Sequence, residues 1–171
     1  MHGAESLRTI AEVSVGLVGF AGVAGALRRT YFTDWSARER QAFWVTMGGF
    51  TAAGFFSLLP AAVAEFSASE KHTWSLCCGL FGVFYLAVIF LGLTRNRRLT
   101  LGGLPPPRPI AWKIIPPIGL VTSVWLVLGS LNVLFQANFG MYYVALLVSL
   151  MASTFAFVGF LAWPTSSDRT E

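Results

Sequence analysis

The sequence predicts an all-α integral membrane protein, a bundle of five transmembrane helices with the N-terminus outside and the C-terminus in the cytoplasm. Three observations predict it. Hydrophobic residues make up 55% of the 171 residues and charged residues only 12%, against about a quarter charged in a usual soluble domain. The apolar residues fall into five runs, at about 9–28, 41–64, 73–94, 117–135 and 140–163, each near the roughly 20 residues that a helix needs to cross a bilayer. Ten of the twelve Lys and Arg residues fall in alternate loops and the C-terminal tail, the bias that sets cytoplasmic sides. Residues 1–171 read as a single transmembrane domain.

The first run is TIAEVSVGLVGFAGVAGALRR. Mixed charge before it and two arginines directly after it favour an uncleaved span over a secretory leader. Gly16, Gly19, Gly22 and Gly25 recur every three residues. Glycine weakens a helix in water, but in lipid it makes a smooth strip for close helix packing. That packing is either within one bundle or between protomers. Thr9 and Glu12 match the T-x-x-E capping box, which would start the helix at Thr9.

Arg28, Arg29, Arg38 and Arg40 lie in the first loop. Ser36 and Glu39 form a second capping box, so the second helix is expected from about Ala37. Pro60 lies inside its apolar part and should kink it or force a local adjustment. Gly48, Gly49, Ala52, Ala53 and Gly54 make its middle slim. The third span is followed by Arg95, Arg97 and Arg98, and then by a loop with Gly-Gly and four prolines. That loop is expected to be partly polyproline-like. Pro117 suits a first helical turn and would open the fourth span, which runs to about 135. The QANFG turn leads to the fifth span, closed by Pro164. Trp44, Trp74, Trp112 and Trp163 fall near span ends, where indole prefers to sit. Only Arg8 and Lys71 oppose the basic side.

Ionisable groups in membrane spans are functional candidates by default. Glu12, Glu65, Asn132 and Gln136 all fall near the outer ends of spans and form a candidate polar cluster for a cation or a proton relay. Glu12 shares a helical face with Gly16 and Gly19, so it points into the bundle if the glycines do. The competing reading makes Glu12 a helix cap and Glu65 the point where the second span meets water. The fifth span offers a small face, Ala145, Ser149, Ser153 and Ala156, as a packing partner for the first.

Several classes of chemistry find no motif. Adjacent Cys77 and Cys78 lack the separation that a disulfide needs, and they read as packed thiols. His2 and His72 lack metal-ligand spacing. No G-x-S-x-G, P-loop or dinucleotide fingerprint is present. The reading is therefore a non-enzyme without metal or cofactor. Its partners are membrane lipids and either a second copy or another membrane protein, with no nucleic acid. A structural, accessory or regulatory role through helix–helix contacts is expected. The alternative is a homo-oligomeric channel or transporter subunit with a polar outer mouth near Glu12 and Glu65. Arginine outnumbers lysine ten to two, a balance that suits a GC-rich bacterial genome and a multi-pass place in the inner membrane.

Overall fold

In the computed structural model the described residues are 3–31, 37–67, 69–103, 109–132 and 136–161. They form five helices: α1 Ala4–Tyr31, α2 Ala37–Phe66, α3 Glu70–Leu101, α4 Pro109–Ser130 and α5 Phe139–Leu161. No strand occurs among them. Four of the five are long and apolar enough to cross a membrane; in α4 the apolar segment, Ile114–Ser130, is shorter.

Most helices outrun their apolar windows. α1 begins at Ala4, not Thr9, and α3 continues through Arg95, Arg97 and Arg98 to Leu101. The physical reason is that an apolar run marks where a helix can meet lipid, whereas a helix can continue into water on backbone bonds and polar side chains. Because α1 starts early, Thr9 is interior, and its hydroxyl donates to the carbonyl of Glu5 at 3.1 Å. Thr9 and Glu12 therefore form no capping box. α2 does begin at Ala37; Ser36, its expected cap, lies outside the described residues, as do most of the proline loop, Trp163 and Pro164. The fourth helix differs most. It starts at Pro109, with Pro116 and Pro117 inside it, because Pro109 takes the first-turn position that suits proline. It stops at Ser130, well before 135, where Asn132 adopts φ +53.

Neighbouring helices run antiparallel. Gly25 of α1 lies under the ring of Phe43 near the start of α2, Gly54 of α2 admits Ser14 of α1, and Gly82 of α3 faces Leu126 and Val127 of α4. The hydroxyl of Ser75 near the start of α3 donates to the carbonyl of Ser130 at the end of α4. Gly3, at φ +91, sits against the ring of Phe139, so α1 and α5 begin at the same end. We call this the Gly3 end and the opposite one the Arg95 end.

The two ends are built differently. Toward the Gly3 end one cluster joins all five helices: Leu7 and Ile10, Phe56, Trp74 with Cys77, Cys78 and Phe81, Leu126, and Met141 with Tyr142, Ala145 and Leu146. Cys77 and Cys78 are free and buried there. Toward the Arg95 end a second cluster gathers Ala21, Phe50, Phe157 and Phe160, with Phe43 and Met47 against it. It draws only on α1, α2 and α5. The buried residues of α3 stop at Gly82. Beyond that point α3 and α4 stay together, but nothing in the second core holds them to the other three helices.

Candidate functional site

The four residues of the expected polar cluster are placed near the Gly3 end, and each has a local explanation. Glu12 is exposed and accepts from Arg8 Nε at 3.0 Å, one turn earlier on α1. Glu65 is exposed in the last turn of α2, and Gln136 is exposed before α5. Asn132 takes the left-handed conformation that closes α4, with its N–H donating to the carbonyl of Gly129 at 3.1 Å. Asparagine tolerates that conformation better than other residues with a Cβ. Asn138 caps α5, its Oδ1 accepting from the N–H of Met141 at 2.9 Å. Among the described residues, no hydrogen bond or ion pair joins Glu12, Glu65, Asn132 and Gln136 to one another, and no group of His, Cys, Asp or Glu could hold a metal ion.

The glycines of α1 do not share one face. Three residues turn an α-helix about 60° short of a full revolution, so the series winds round the helix. Gly16 and Gly19 are exposed, Gly22 is half-buried and Gly25 is buried. A Cβ at Gly16, Gly19 or Gly22 would meet nothing within 4 Å, whereas one at Gly25 would strike Phe43. Glu12 keeps its predicted place on the face of Gly16 and Gly19, but that face points outward. Of the small face of α5, Ala145, Ser149 and Ser153 are buried and Ala156 is half-buried, and its neighbour is α2 rather than α1: Gly49 lies against the side chain of Ser153.

A concavity lies where α3 and α4 leave the second core. It is a cleft of about 390 Å³ between α2, α3, α4 and α5, within the usual range for ligand pockets. Gly48, Gly49 and Ala52 of α2 form one wall, and Phe81, Tyr85, Ile89 and Gly92 of α3 form the other. Ser149, Ala152, Ser153 and Ala156 of α5 form the back, and Ile115 and Pro116 of α4 close a corner. Phe81 belongs to the first core and marks the deep end. Gln41, Trp44 and Arg95 mark the Arg95 end. The sides are uneven. Trp44 and Val45 on α2, and Val88 and Leu91 on α3, are exposed at the rim, so the cleft opens sideways between these two helices, on the face that meets lipid if the helices span.

The lining is apolar except for a few groups. Tyr85, Ser149 and Ser153 line it within, and Gln41 lies at the Arg95 end. Arg95 is the one charged side chain among the described lining residues, and no carboxylate joins it. Such a site can hold a largely apolar body with an anionic or hydrogen-bonding group at one end.

No family model matches the chain, and neither a curated protein nor a solved structure is significantly similar to it.

Sequence reasoning sought charged groups in the spans and so looked to the Gly3 end. The cleft leaves a weaker trace. The small residues of α2 and the small face of α5 are both visible in the sequence, and together they predict close approach. The gap arises because α3 diverges, and no single-helix pattern reports a divergence between helices.

Proposed function

We infer that the chain is a small multi-span integral membrane protein with a structural, accessory or regulatory role exerted through helix–helix contacts. The Gly3 end faces outside, the Arg95 end faces the cytoplasm, and the setting is a bacterial inner membrane. The observation that carries this reading is the outward face of α1. Gly16 and Gly19 are exposed there beside Val15, Phe20 and Val23, and among the described residues none packs within 4 Å of a Cβ at either glycine. In lipid, exposed small residues let a second helix approach closely. The fifth crossing rests on α4, whose apolar segment Ile114–Ser130 spans roughly 26 Å at the helical rise, at the short end of what a crossing takes.

A photo-reactive benzoylphenylalanine in place of Phe20, exposed beside Gly19 and already aromatic, tests the reading when irradiated in native membranes. The expected product is an adduct of discrete mass, either a second copy of the chain or one other membrane protein. Adducts with lipid alone would overturn it.

A further inference from the structure

We propose that the cleft between α2, α3 and α5 is a binding site for one acyl chain of an anionic phospholipid, with the headgroup held at Arg95. Four observations converge on it. The wall of α2 from Gln41 to Ala52 rises roughly 16 Å at the helical pitch. One leaflet of the hydrocarbon core is about 15 Å deep, half of ~30 Å. The cleft therefore runs for about the length of a single leaflet.

Its direction and opening also suit a lipid. The deep end is closed by Phe81, in the five-helix core, and the side between α2 and α3 is open at the exposed rim of Trp44, Val45, Val88 and Leu91. A chain can enter from the bilayer without leaving it. The lining offers apolar surface along the depth. The single charged group is a guanidinium at the end where a headgroup would sit, and guanidinium pairs well with phosphate. Arg97 and Arg98 follow it on the same helix, and both are exposed. A cluster of basic residues at a span end attracts anionic lipids.

The fourth observation supplies the test. Gly48 and Gly92 both line the cleft, and a Cβ at either would meet nothing within 4 Å. A side chain can therefore start from either position into the cleft, and leucine favours the helix more than glycine does. The double variant Gly48→Leu, Gly92→Leu should thus fold and have its cleft filled.

Purified full-length protein in detergent would be titrated with phosphatidylglycerol carrying brominated acyl chains, and separately with brominated phosphatidylcholine. Bromine quenches nearby indole, and Trp44 stands at the rim. Its signal is the difference between wild type and Trp44→Phe. The expected result is saturable quenching that is tighter for phosphatidylglycerol. The double variant should bind about tenfold or more weakly while its thermal midpoint is unchanged or raised. If the pair does not fold, each single substitution is measured, and the folded one should show the loss. Arg95→Gln should bring the two lipids to equal affinity with no effect on phosphatidylcholine.

Saturable phosphatidylglycerol quenching that survives in a folded cleft-filled variant would overturn the proposal. So would equal binding of the two lipids by the wild type. A dimer that the cleft-filling substitutions convert to monomer would assign the space to a second copy and would also overturn it.

Discussion

The hydroxyl of Tyr142 donates to the main-chain carbonyl of Phe56 across the α5–α2 contact. Pro60 lies four residues beyond Phe56 and has no N–H to give, so this is the carbonyl that the proline deprives of its helical partner. Both Tyr142 and Pro60 are fully buried, away from any compensating water. A buried aromatic side chain thus completes a helix that its own sequence interrupts.

Tyr142→Phe should lower stability by about 1–3 kcal/mol, the cost of leaving a buried polar group unpaired. Pro60→Ala restores an N–H to the carbonyl, so Tyr142→Phe should cost clearly less in that background. Thermal midpoints of the four proteins in detergent give the cycle. Equal costs in both backgrounds would show that the tyrosine does not serve the proline gap.

Leucine substitutions along the α1 glycines should have opposite effects. Gly25→Leu collides with Phe43 and should destabilise the monomer by about 1–3 kcal/mol, as overpacking does. A Cβ at Gly19 meets no described residue within 4 Å, so Gly19→Leu should leave the thermal midpoint of the monomer unchanged or higher. Its loss should appear in crosslinking to the partner helix. A monomer unfolded by Gly19→Leu would contradict the outward placement of that face.

Glu12→Gln removes one member of an exposed ion pair with Arg8. Such pairs contribute little, and the change in stability should stay within about 0.5 kcal/mol, read from the thermal midpoint. A much larger loss would mean that Glu12 meets something beyond Arg8.

Orientation is tested by labelling with a membrane-impermeant thiol reagent. The native cysteines are buried and should remain silent. A cysteine introduced by Ser69→Cys should react from outside the cell, and one introduced by Thr100→Cys should not. The reverse pattern would invert the topology.

The helices were legible in the sequence because apolar runs of sufficient length dictate them, and α2 starts at Ala37 as its local signals predict. Pro117 misled because the sequence holds several prolines that could open α4, and Pro109 took that role. The glycine series was legible as a pattern but not as a surface. Spacing by three in a helix of 3.6 residues per turn rotates the strip from the outer surface at Gly16 to Phe43 at Gly25. The cleft was the least legible feature, since Gly48, Gly49 and Ser153 announce close packing and only the course of α3 turns part of that packing into a void.

The unequal construction of the two ends has a mechanical consequence. Five helices are pinned together around Phe81 and Tyr142, whereas at the far end one three-helix body and one two-helix body share no core. The pinned end is expected to act as a fulcrum, with the α3–α4 pair as a lever whose far arm carries Arg95. Spin labels on Val45 and Leu91 should give a broader distance distribution than labels on Ala61 and Leu76, and equal breadth would speak against the lever. A small rotation at the fulcrum would widen the free end without breaking the shared core, so the bundle is expected to be compliant at the Arg95 end and stiff at the Gly3 end.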